Sequence, residues 1–189
     1  METIRRSLRP TGRGTPRDLA AIASRGERGG GHQAERFLLF AIGDERFAVT
    51  ASFLREVVLP DGMAPGAASE ARECAAFSHR GFCIPALDLR VLFGYSAGVR
   101  AEAARVLVGG PDGGGLGLVV DRVGDVVDIG PQAILAMPDG ASRLPAACFR
   151  GILRWRDGVV MVLEPAGLAA LECVREFGDV VVSPRVGAG

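Results

Sequence analysis

From Arg36 onward the chain runs in short apolar bursts separated by turn residues. "RFLLFAIGDERFAVT" predicts a strand, a two-residue turn on Gly43-Asp44 and a return strand, because Gly supplies the positive φ such a hairpin needs. "ASFLREVVLP" continues through one helical turn into a third strand that Pro60 stops. "DGMAPGAASEARECAA" reads as a loop with a helical turn, and "FSHRGFCIPALDL" as a turn and one further strand. A short helix and linker follow in "RVLFGYSAGVRAEAA", with Gly94 as the helix stop.

The second half has the same style. "ARVLVGG" and "LGLVVDRV" are strands flanking the turn "PDGGG", and "GDVVDI" is another. "GPQAILAMPDGASRLPA" is a proline-punctuated loop, and "ACFRGILRWRDGVVMVLEP" a hairpin turning on Asp157-Gly158. "EPAGLAALECVREF" is a closing helix. About ten short strands over roughly 140 residues are too many for one small barrel, so two small packed β-barrels with short helices and a C-terminal helix fit better. The expected division is a tail over 1–34, a folded unit over 35–175 and a tail over 176–189. Within the unit, subdomains span about 36–94 and about 104–163, with elements free to be exchanged between them.

Composition narrows the chemistry. The chain has 189 residues, 48% of them apolar, enough for a core without metals or disulfides. No apolar run approaches the ~18 residues that cross a bilayer. Formal net charge is zero, which gives no general pull toward a polyanion such as nucleic acid. Residues 1–34 nevertheless hold seven arginines against Glu2, Asp18 and Glu27. That segment reads as a disordered basic extension; a short helix from Arg17 to Ser24 docking on an acidic surface is the other reading. After Arg5-Arg6 the apolar "LAAIA" is too short for a secretion signal. Lysine is absent, which excludes a Walker A loop and Schiff-base catalysis. Cys74, Cys83, Cys148 and Cys173 lack metal-site spacing and read as reduced structural thiols. No cofactor or metal is expected.

Candidate catalytic residues are few. Ser78, His79 and Asp88 could be assembled into a hydrolase or ligand-binding site, but neighbours on a strand point to opposite faces, and no nucleophile-elbow motif is present. Asp121, Asp125 and Asp128 are split between strand faces by their spacing and read as solvated. A β protein without a reactive centre works through its surfaces.

Five stretches, "FLLFAIGDERFAV", "LREVVLP", "HRGFCIPALDLRVLFG", "LGLVVDRVGDVVDI" and "FRGILRWRDGVVMVLEPAGL", together resemble the CheW-like domain of bacterial chemotaxis adaptors, from about Arg36 to Leu171. The resemblance implies two five-stranded β-barrels and no catalysis. It also implies a cytoplasmic adaptor, monomeric in isolation, that joins a chemoreceptor's cytoplasmic tip to the regulatory domain of a CheA-type histidine kinase at the inner face of the membrane. "HRG" corresponds to the family's Asn-Leu-Arg-Gly turn, which places Arg80 in the docking region and pairs it with Glu56. The implied partner-binding residues are Glu56, Val57, Val58, Ser78, His79, Arg80, Gly81 and Phe82, on an apolar surface formed by the strands around Phe47–Val58 and Phe77–Leu87. The chain departs from the family at Ser78-His79, which stand in place of Asn-Leu, and over residues 61–76. There His79 reads as a turn histidine in solvent. A divergent regulator or competitor in a non-flagellar chemosensory kinase pathway is the alternative.

Overall fold

The computed structural model describes residues 34–182 except 62, 66–72, 96–101, 111–114, 139, 141 and 157. The basic tail, most of the "PDGGG" turn and residues 183–189 therefore lie outside the described residues.

Eleven strands are described. They are β1 (Glu35–Ile42), β2 (Glu45–Thr50), β3 (Leu54–Val58), β4 (Met63–Pro65), β5 (Cys74–His79), β6 (Phe82–Asp88), β7 (Arg105–Gly109), β8 (Leu116–Val120), β9 (Arg122–Ile129), β10 (Phe149–Trp155) and β11 (Gly158–Leu163). They form a five-stranded sheet, β10-β11-β2-β1-β9, and a six-stranded sheet, β3-β7-β8-β6-β5-β4. The sixth strand is β4, three residues ending in Pro65, too short to show alternation and hidden in what reads as a loop. The sheets do not follow the two halves of the chain. Both ends of the folded unit build the five-stranded sheet, and everything between builds the other.

Strand alternation explains where the core sits. On β1, Leu38, Phe40 and Ile42 face a large core between the sheets, while Phe37 turns into the curl of its own sheet. On β8, Leu116, Leu118 and Val120 face the shared core, and Val119 turns inward to a separate cluster with Phe77, Ile84 and Val106. Each sheet therefore wraps a small core of its own and presents its other face to its neighbour. The five-stranded sheet curls far enough for Arg150, on edge strand β10, to pair with Glu35 at the start of β1.

Three local expectations are corrected. The β10–β11 hairpin turns one residue earlier than Asp157-Gly158. Gly158 pairs with Trp155 as the first residue of β11, and Arg156 takes the positive φ of 54°. The closing helix is two, Pro165–Ala169 and Glu172–Val182, the first begun by Glu164 accepting from the Ala166 amide. Asp121 is buried, at 6% exposure, whereas Asp125 and Asp128 are exposed.

Asp121 sits where the chain leaves one sheet for the other, between β8 and β9. Its Oδ2 accepts from the Gly43 amide at 2.7 Å and forms an ion pair with Arg90. Gly43 opens the β1–β2 turn with φ 58°, and the Tyr95 ring lies over it so closely that a Cβ would stand 3.2 Å from the ring. Arg90 lies in the one-turn helix Leu89–Leu92, its guanidinium 5.7 Å from the Tyr95 ring centroid. Burial, aided by Glu45, pushes the Tyr95 phenol up to about 12, so the ring enters this cluster neutral. One carboxylate thus ties a turn of the five-stranded sheet to a helix of the six-stranded one. Asp121→Ala strands Arg90 beside the core and is expected to cost about 3 kcal/mol in urea unfolding. Asp125→Ala is expected to cost no more than about 0.5 kcal/mol in the same measurement.

Candidate functional site

β5 and β6 pair in register from Cys74 opposite Leu87 to His79 opposite Phe82. "FSHRGFCIPALDL" thus contributes to two strands, and β5 begins three residues before it. The link is Arg80-Gly81, with φ of 50° and 83°. Positive φ at both central residues defines the turn whose twist matches that of the flanking strands. Gly81 adopts it freely, but an arginine there costs about 1–2 kcal/mol.

The tip is held from the far edge of the sheet. Glu56, on edge strand β3, presents Oε2 at 2.8 Å from Arg80 Nη2 and 3.2 Å from His79 Nε2. β3 and β5 are separated by three strands in the sheet order, so these contacts show how far the sheet curls. Apolar packing closes the same gap, with Val58 of β3 and Met63 of β4 against the cluster containing Phe77. His79 stacks on Phe77 with centroids 6.0 Å apart and planes 13° apart. Its side chain is 19% exposed, that of Arg80 72%. His79 is therefore not the solvated turn histidine expected; it is a second partner of Glu56.

The sequence-derived residues separate into three groups. Glu56, His79 and Arg80 converge, with Gly81 and Phe82 at the tip beside them. Phe82 is 65% exposed. Val57 and Val58 are half-buried packing residues, one against the core between sheets and the other against the inner cluster. Ser78 is exposed on β5, opposite Cys83. The wider apolar surface is corrected: Phe47, Ala48 and Val49 are fully buried, so β2 offers no apolar face outward. Cys83 is exposed rather than structural.

A Ser78-His79-Asp88 site is ruled out by position. Ser78 and His79 alternate along β5, and Asp88 lies at the opposite end of β6 from the tip. There its Oδ1 accepts from the Arg90 amide at 3.1 Å and caps the short helix. Among the described residues no group of three His, Cys, Asp or Glu side chains could hold a metal.

A model of the CheW-like domain matches residues 36–173. This chain belongs to the CheW-like domain family. The chemotaxis protein CheW of Rhizobium meliloti (strain 1021) is 24% identical over 127 residues, which cover 67% of this chain and 82% of the relative. The crystal structure of the scaffolding protein TtCheW from Thermoanaerobacter tengcongensis superposes with a TM-score of 0.66 at 20% identity, covering 78% of this chain and 96% of that one. The CheW-like chain is a non-catalytic scaffold of chemotaxis.

In this CheW-like domain the tip pair contributes little to folding. An exposed ion pair contributes about 0–1 kcal/mol, which at most offsets the lower end of the ~1–2 kcal/mol that the left-handed arginine costs. Arg80→Asn removes both, since Asn tolerates that conformation. Stability in urea is expected to fall by no more than about 0.5 kcal/mol; a loss above about 2 kcal/mol would make Arg80 a structural residue.

Proposed function

We propose that this CheW-like protein is the adaptor that couples chemoreceptors to a CheA-type histidine kinase, and that the β5–β6 tip is part of its docking surface. The observation that carries the reading is Arg80 itself. It is held in a left-handed turn by Glu56, yet its side chain stays 72% exposed, next to an exposed Phe82. Strain of this kind survives where the surroundings enforce it and gathers at functional positions. Arginine and aromatic side chains are also the types that concentrate binding energy at interfaces.

Glu56 fixes the direction of the guanidinium before a partner arrives, which lowers the ordering cost of binding. The partners are the receptor's cytoplasmic tip and the kinase's regulatory domain; no nucleic acid and no membrane insertion are involved. No helix among the described residues is long and apolar enough to cross a membrane, in keeping with a cytoplasmic protein recruited to the membrane through receptors. The protein acts as a monomer until it is built into an array.

The test is titration calorimetry of the purified chain against a receptor-tip fragment and, separately, against a kinase regulatory domain, both from the same cell. Arg80→Glu is expected to keep the far-ultraviolet circular dichroism and to weaken at least one of the two affinities tenfold or more, about 1.4 kcal/mol. Unchanged affinity for both would remove Arg80 from the site. No binding of either by the unsubstituted chain would overturn the adaptor reading.

A further inference from the structure

His79 and Arg80 draw on one atom. Glu56 Oε2 lies 2.8 Å from Arg80 Nη2 and 3.2 Å from His79 Nε2. A carboxylate matched to one guanidinium leaves the tip without net charge. A protonated imidazole at the same oxygen gives it one positive charge more than Glu56 can balance. Imidazole is the side chain that changes charge between about pH 5 and pH 8.

The two nitrogens are held very differently. The His79 side chain is mostly buried, and its ring is stacked on Phe77. Its backbone is paired with Phe82 in the β5–β6 ladder. The Arg80 side chain is mostly exposed at a turn. When both are cations they repel one another across one oxygen, and the side chain able to leave is Arg80. Other charges near His79 can be named. On β3, Arg55 follows the opposite face from Glu56 and donates from Nε to the Gly110 carbonyl at 2.7 Å. From β6, Phe82 stands opposite His79, while Cys83 stands opposite Ser78 on the other face of the pair. β4, the remaining neighbour of β5, brings Met63, with Asp61 exposed just before it.

We propose that His79 makes the tip's hold on an acidic partner surface depend on pH. Protonated, His79 takes Glu56 for itself and releases Arg80 to meet a carboxylate of the partner, the group whose two oxygens match a guanidinium. This rests on the reading of the tip as a docking surface. Below the range in which imidazole titrates, the tip carries the extra positive charge and docking is tight. As pH rises through that range His79 becomes neutral, Glu56 holds Arg80 again, and docking weakens. His79 is thus a positioning residue that acts through Glu56 and Arg80.

The experiment is titration calorimetry of the full chain against the receptor-tip fragment and the kinase regulatory domain. It is run at about pH 6 and about pH 7.5, spanning the imidazole range, in two buffers of different ionisation enthalpy. For the fragment that Arg80→Glu weakens, the unsubstituted chain is expected to bind at least about threefold more tightly at the lower pH. It is also expected to take up protons on binding at the higher pH, because a partner that prefers the protonated tip must in turn favour protonation. His79→Gln is expected to lose both effects. Arg80→Asn is expected to lose most of the affinity ratio, and Asp61→Asn to keep it.

The same ratio in His79→Gln as in the unsubstituted chain overturns the proposal and leaves the adaptor reading standing. So does the absence of proton uptake, or a ratio that survives Arg80→Asn in full. Affinities indifferent to Arg80→Glu overturn it as well. Binding of neither fragment at either pH overturns the adaptor reading and this proposal with it. Where glutamine disturbs the tip, seen by circular dichroism, His79→Leu keeps an apolar neighbour on Phe77 and takes its place. Proton uptake is measured on the unsubstituted chain in either case.

Discussion

The central strands of this molecule must bury both faces. A sheet that curls around its own contents and also leans on a second sheet has no solvated side over much of its area. Side chains of β1 and β8 alternate between two apolar destinations instead of between core and water. This double burial is what makes the strands read as near-continuous apolar runs. It also leaves few places where a polar group can lie inside, and Asp121 occupies one of them. Placed at the crossing between β8 and β9, it finds a backbone donor from one sheet and a guanidinium from the other. Its burial is tolerable because both arrive together.

The same curl creates the candidate site. Glu56 and Arg80 are far apart in the order of strands, and no local rule of sequence brings them together. They meet because Val58, Met63 and Phe77 draw the two margins of the six-stranded sheet toward each other. Apolar packing thereby sets the position of a carboxylate, and the carboxylate sets the direction of an exposed cation. Little of that arrangement stabilises the fold, which is why it can be read as serving a surface.

Much of the fold was legible where local chemistry decides conformation. Gly43 marked the first hairpin because few other residues take its φ, and Gly94 ended its helix for the same reason. Legibility failed where long-range packing decides. β4 is too short to carry a pattern and exists because β5 is there to pair with it. Asp121 was misread because strand alternation was carried through a residue at which the chain changes sheets. The β10–β11 turn was placed one residue late because Asp-Gly is a strong turn pair, while the observed register puts the left-handed residue at Arg156. For the site, Glu56 and Arg80 could be named only by likeness to a family. The part played by His79 had no local signal beyond its place beside Arg80.

The chain order of the five-stranded sheet has a consequence for biosynthesis. β1 and β2 leave the ribosome first, yet their neighbours β9 and β11 come only after the entire six-stranded sheet. The parallel pairing of Arg46 with Val160 joins nearly opposite ends of the folded unit. Until β11 emerges, the apolar faces of the first hairpin have no lasting cover, and a nascent chain halted before that point exposes them to any chaperone or neighbouring polysome.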